Sequence, residues 1–308
     1  MGPLARTGIG IALACGVLVT AVGVGRNSDS DHEKEPPKGP YVALGDSYTS
    51  GPKIPPQTGD PAGCDRSGRN YPALVARELG IEPADFRDVS CSGATIAHLT
   101  APQSTDHGTN PAQLSALSAG TMLVTLGIGG NDVGFSSLIT NCVTTGALYE
   151  LADHFTDVSG KAPCERRYTS GDTDTIAQQI HTTGDQLARA LHQIKRRAPG
   201  ARVYVVGYPA ILPAKGTDCD DAMPLAPDDV VFLRDKEQQL NTMLRYRARA
   251  AGATYVDTFT PSSEHNACSP ESTRWIEPLR PSSPAASVHP NERGERGMAT
   301  AVLHAVKD

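Results

Sequence analysis

Five short runs rich in β-branched residues, set tens of residues apart, constrain this chain most. They are YVALG at 41–45, FRDVS at 86–90, MLVTLGIG at 122–129, RVYVVGYP at 202–209 and TYVDT at 254–258. Each has the length of a buried strand, and most end at Gly, Pro or Ser. Strands this far apart are not joined by tight hairpins. Helical patterns lie between them, so they are expected to pair in parallel through right-handed crossovers. The expected fold class is α/β: one doubly wound, five-stranded parallel sheet with helices on both faces.

The helical patterns are specific. Residues 71–80, YPALVARELG, place Leu74, Val75 and Leu79 on one side and stop at Gly80. Residues 174–200 repeat Ile176, Ile180, Leu187, Leu191 and Ile194 near the helical period. Lys195, Arg196 and Arg197 fill that helix's last turn, where the helix dipole favours cations. Residues 228–252 form another long helix, and a final one after Pro290 carries Met298, Ala301, Val302 and Val306. The stretches 134–172, 209–227 and 259–288 read as long loops or small helices.

Residues 1–25 read as a secretory signal, with Arg6 ahead of an apolar stretch from about Gly8 to Val24. Residues 26–39 form a polar linker, and 40–308 the folded domain. Left uncleaved, the leader is long enough to anchor the chain in a membrane. Loss of Cys15 with the leader leaves Cys64, Cys91, Cys142, Cys164, Cys219 and Cys268. An even set in an exported chain reads as three disulfides, with the pairing open. No CxxC pair supports a zinc or thiol-redox site. A formal net charge of −6, with no basic run flanked by aromatics, argues against a nucleic-acid partner.

In doubly wound sheets, function gathers at the carboxyl ends of the strands. Three such ends carry conspicuous residues: Ser47 in GDSYTSG, Gly93 in CSGAT and Asn131 in GIGGND. His289 lies in SVHPNERG, just before the final helix. Singly, each is ordinary: a turn serine, a loop glycine, a turn or cap asparagine, a histidine at a helix entry. GIGGND is no dinucleotide fingerprint, because Asp132 stands where the last glycine belongs. GDSYT is no GxSxG elbow, because Thr49 takes the final position.

Together, the four blocks in this order resemble the SGNH, or GDSL-type, hydrolases, above all the secreted actinobacterial lipases and esterases, over residues 38–308. The resemblance implies that family's flavodoxin-like sheet, with Ser47 as nucleophile and His289 as base. It implies an oxyanion hole made by the N–H groups of Ser47 and Gly93 and the side-chain amide of Asn131. It further implies the bridges Cys64–Cys91, Cys142–Cys164 and Cys219–Cys268. No metal or organic cofactor is implied. The expected partner is a small-molecule or lipid ester, met by a monomer in transient contact with a lipid interface.

The chemistry suits these residue types independently. A serine hydroxyl attacks an ester only with a base beside it, and imidazole can take that proton and return it to the leaving alcohol. The tetrahedral intermediate's negative oxygen calls for fixed donors. One departure from the family matters: Ala286 stands where an Asp usually precedes the histidine by three residues. A main-chain carbonyl within 284–288, favoured as that of Ala286, is then expected to fix the tautomer, making a Ser–His dyad. Glu264, Glu271 and Glu277 are the nearby carboxylates that could restore a triad. The sequence therefore points to a secreted serine carboxylic ester hydrolase. A phospholipase, a carbohydrate acetylesterase and a catalytically dead surface-binding protein on the same scaffold are the alternatives.

Overall fold

The computed structural model describes residues 1–2, 36–153, 163–171, 173–215, 219 and 222–308. Beyond its first two residues, the expected signal segment lies outside the described residues, as does most of the expected linker. Five strands form the main sheet: β1 (Tyr41–Gly45), β2 (Phe86–Asp88), β3 (Leu123–Gly127), β4 (Arg202–Val206) and β5 (Thr254–Val256). All pair in parallel, in the order β2-β1-β3-β4-β5. The order reverses between β1 and β3, which opens a crevice at their carboxyl ends. Their register runs from Tyr41 opposite Leu123 to Gly45 opposite Gly127.

Side-chain alternation divides the core into two layers. Tyr41, Ala43, Leu123, Tyr204 and Val206 face α2 (Tyr71–Glu78) and α7 (Glu292–Lys307), which supply Val75, Met298, Val302 and Val306. Val42, Leu44, Val124, Leu126, Val203 and Val205 face the other way. They meet α5 (Thr175–Arg197) and α6 (Pro227–Ala250) through Leu187, Leu191, Leu240 and Leu244. Burying each such aliphatic side chain stabilises the fold by about 1.5–3 kcal/mol. Caps fix the helix starts: Asn70 accepts from Ala73 N–H, Asp174 from Ala177 N–H, and Asn291 from the Arg293 and Gly294 N–H groups.

Two expectations are revised. The second strand run ends at Asp88, and pairing continues only as single bonds, Val89 N–H to Ala43 O and Cys91 N–H to Gly45 O, both 3.0 Å. The stretch after β3 is no loop: it holds a 19-residue helix, α4 (Phe135–Asp153), preceded by the short α3 (Gly130–Val133). The three disulfides join Cys64 to Cys91, Cys142 to Cys164 and Cys219 to Cys268, the pairs implied by the resemblance. No described helix is long and apolar enough to cross a membrane.

Candidate active site

Chain direction changes sharply at the end of β1. Gly45 has φ 157°, and a Cβ there would lie 2.6 Å from the Gly127 carbonyl oxygen, so only glycine fits. The Gln113 side chain clasps this residue, accepting the Gly45 N–H at 2.8 Å and donating to its carbonyl at 2.9 Å. Asp46 donates its N–H to Gly127 O at 3.0 Å and caps the short helix α1 (Ser47–Ser50) by accepting Tyr48 N–H at 3.0 Å. Ser47 opens that helix. Its Oγ lies 2.7 Å from His289 Nε2, within hydrogen-bond reach, although the two residues are 242 positions apart.

The other ring nitrogen of His289, Nδ1, lies 2.7 Å from the Ser287 carbonyl oxygen. The orienting acceptor is therefore a main-chain carbonyl, but that of Ser287 and not of Ala286. The Ala286 carbonyl accepts the backbone N–H of His289 instead, at 3.3 Å. The reason lies at Val288, whose φ of 59° is strained for a β-branched residue and turns the chain so that the Ser287 carbonyl meets the ring. Tyr48 holds this turn: its hydroxyl donates to the Val288 carbonyl at 2.5 Å, and its ring lies 4.8 Å from the imidazole, centroid to centroid. Burial lowers the His289 pKa, against the Ser287 bond and with the nearby charge of Lys53. The shift favours the neutral ring, the form a base requires.

None of Glu264, Glu271 and Glu277 bonds to the imidazole. Glu277 instead holds the loop. Its N–H and carbonyl pair with His289 O and Val288 N–H, each at 3.0 Å. Its carboxylate accepts from Arg274 at 3.0 Å, from Asn291 Nδ2 at 2.8 Å and from Ser282 N–H at 2.9 Å. Burial pushes this carboxyl up, but these bonds outweigh it and hold the pKa below the ordinary glutamate value.

Asn131 stands in α3, at the end of β3. Its Nδ2 donates to Ala94 O at 2.9 Å, which leaves one amide hydrogen available. Gly93 adopts φ 75°, and neither its N–H nor that of Ser47 has a partner among the described residues. Asp132 ties the two loops together by accepting Ile96 N–H at 3.1 and 3.0 Å, while desolvation raises its pKa to about 6. Tyr208, just beyond β4, bridges the site's two halves: its hydroxyl accepts Gly130 N–H at 2.8 Å and donates to Asp46 Oδ2 at 2.5 Å. Asp46 is buried, and desolvation raises its pKa to about 7 despite that bond. The sequence gives Tyr48 and Tyr208 no role. Their signal was position alone, beside the serine and at a strand's carboxyl end.

Ser47, Asn131 and His289 line one cavity of about 160 Å³. Phe135 and Ile139 of α4, Ile211, Leu240 and Leu279 make its wall mostly apolar. Gly93 is not among its lining residues and stands in the adjoining loop. A larger hollow of about 1010 Å³ follows the sheet edge between β5 and α7, and contains none of the four block residues.

Comparisons with known proteins place most of the chain. Residues 43–296 match the GDSL-like lipase/acylhydrolase family. The chain belongs to that family, and it is a carboxylic ester hydrolase. It is 43% identical over 264 residues to Lipase 2 of Streptomyces coelicolor, covering 84% of this chain and 83% of that protein. Among solved structures it resembles a phospholipase A1 from Streptomyces albidoflavus NA297, with TM-score 0.69, 28% identity, and coverage of 88% of this chain and 100% of that one. It is equally similar, at TM-score 0.69 and 28% identity, to an extracellular lipase from Streptomyces rimosus, covering 87% of this chain and 99% of that one.

Proposed function

We propose that this is an exported enzyme that cleaves acyl esters of apolar, lipid-like substrates through Ser47 and His289 alone. The observation that carries this reading is the 2.7 Å contact between Ser47 Oγ and His289 Nε2, with Nδ1 held by a carbonyl and not by a carboxylate. Ser47 Oγ attacks the ester carbonyl as Nε2 takes its proton. Nε2 then passes that proton to the departing alcohol, leaving an acyl-serine. Water, deprotonated by the same nitrogen, releases the acid and restores Ser47. The N–H groups of Ser47 and Gly93 and the free amide hydrogen of Asn131 stabilise the oxyanion in both halves. The Ser287 carbonyl fixes the tautomer, which matters more for a base than an added full charge.

Export is supported by the three disulfides, which persist in oxidising compartments. A phospholipid is the second substrate to consider, because one similar structure is a phospholipase A1. An acetylated polysaccharide fits less well. The cavity holds only about 160 Å³ and its wall is mostly apolar, and the chain's single Trp, Trp275, stacks on His265 with ring planes 4° apart, away from the cavity.

A fluorophosphonate should label the parent protein and not Ser47→Ala. Ser47→Ala and His289→Ala should each lower ester turnover by at least ~1000-fold, with the double variant little worse, since nucleophile and base act as a unit. Substantial turnover by Ser47→Ala would overturn the mechanism. A panel of esters of graded chain length, run beside phospholipid and acetylated xylan, separates the substrate classes.

A further inference from the structure

Two buried carboxyl groups line the cavity: Asp46, held by the Tyr208 hydroxyl and the Tyr48 N–H, and a second with far less support. The second, Glu237 of α6, is 1% exposed. Its two carboxyl oxygens share a single donor, the Ile211 N–H, at 3.3 and 3.1 Å, and have no other hydrogen bond among the described residues. Arg234, one turn earlier, does not pair with it: the guanidinium reaches the Leu212 carbonyl and, at 3.4 Å, Ser263 Oγ. Desolvation, only partly offset by the Ile211 N–H and the field of Arg234, raises the carboxyl pKa to about 8. Other titratable groups face it from the surrounding elements: Asp46 and Tyr48 from the nucleophile turn, Tyr208 after β4, Tyr255 of β5 and His289 of the base loop. From α4 come only Phe135, Ser136, Ile139 and Thr140, none of which titrates in water's range.

Glu237 thus both anchors the Ile211 N–H and borders the cavity beside Ser47 and His289. We propose that Glu237 is a specificity-determining residue: neutral, it admits an extended apolar acyl chain to the cavity, and ionised, it excludes that chain while short acyl groups still react. The inference rests on the esterase reading above. A short acyl group leaves room for water beside the carboxylate, whereas an extended chain expels that water and leaves the charge unsolvated. Chain binding and proton binding at Glu237 are therefore linked: each favours the other by the same factor. Above the carboxyl's pKa, the extended chain enters only with a proton taken up from solvent.

The test is the ratio of kcat/KM for p-nitrophenyl octanoate to that for p-nitrophenyl acetate, measured on the full chain across pH. Both esters use the same dyad and leaving group, so titration of His289 cancels in the ratio, while any contribution from Asp46, which also lines the cavity, persists in Glu237→Gln. In the parent the ratio should fall about tenfold from about pH 7 to about pH 9, following the protonated fraction of a group that titrates near the middle of that interval. Glu237→Gln keeps an acceptor for Ile211 and cannot ionise, so its ratio should stay flat. Glu237→Met should give a flat ratio that is higher than the parent's at every pH. A flat ratio in the parent overturns the inference, even if neither variant folds, and so does an unchanged fall in Glu237→Gln. A parent that turns over no ester at all overturns the esterase reading instead, and the inference with it.

Discussion

Ser47 stands two residues beyond an interior strand, while His289 stands in a loop whose one described ladder contact is the isolated bridge between Ile276 and Pro290. Around Ser47 the holding contacts are mostly main-chain: the β1–β3 ladder, the Asp46 N–H on Gly127 and the Gly51 N–H on the Ser47 carbonyl. Around His289 a few loop main-chain bonds, such as those of Glu277 with His289 and Val288, rely on buried side chains: the carboxylate of Glu277 with Arg274 and Asn291, and the hydroxyl of Tyr48. Ser47 therefore shares the cooperative stability of the sheet. His289 depends on a few buried polar groups, so local opening should reach it first.

Five substitutions at four positions probe this contrast. On the sheet side, Asn131→Ala should lower kcat by ~100–1000-fold with little change in KM, because an oxyanion donor acts in the transition state. Asn131→Asp should be lower still, having exchanged a donor for negative charge. A rise in KM with kcat intact would remove Asn131 from that role. On the loop side, Glu277→Ala leaves Arg274 buried without its partner, the two side chains being 0% and 10% exposed. It should destabilise the protein by ~3–5 kcal/mol in chemical denaturation. In the same variant, amide exchange should quicken at Val288 and His289 well before Asp46. Uniform exchange would erase the contrast drawn here.

Tyr48→Phe tests the join between the two regions. It removes the bond to the Val288 carbonyl and keeps the ring against the imidazole, a loss of about 1 kcal/mol, or roughly fivefold, in kcat. An unchanged kcat would mean that the Val288 turn holds by itself. The smallest effect belongs to Lys53, whose charge helps depress the His289 pKa behind the larger contribution of burial. Activity should fall on the acid side with a midpoint below the ~6.5 of an ordinary imidazole. Lys53→Ala removes a positive neighbour, favours the protonated ring and should move that midpoint upward. A downward movement would contradict the assignment of the limb to His289.

The contrast also explains what the sequence disclosed. Interior strands must be apolar on both faces, so Tyr41–Gly45 and Leu123–Gly127 stood out, and the serine and asparagine came with them. The helix Phe135–Asp153 was hidden by Thr140, Thr144 and Thr145, residues common in strands and loops. Here their hydroxyls bond back to carbonyls four residues earlier, at 2.9, 2.9 and 2.7 Å. The stripe of Phe135, Leu138, Ile139 and Cys142, all buried, was the signal that could have revealed it. The choice of Ser287 over Ala286 was illegible for another reason. It turns on a positive φ at Val288, which nothing in a valine announces and which only the surrounding contacts impose.

Gln113 also serves as a gauge. A parallel ladder repeats every two residues, so main-chain pairing alone would accept β1 shifted along its neighbours by one repeat, with the same side chains still facing inward. The amide of Gln113 grips the N–H and the carbonyl of a single residue, and the crowding under the Gly127 carbonyl admits only a glycine there. No other residue of β1 is glycine. The strand thus has one permitted stopping place, and the reach from sheet edge to hydroxyl is measured from it.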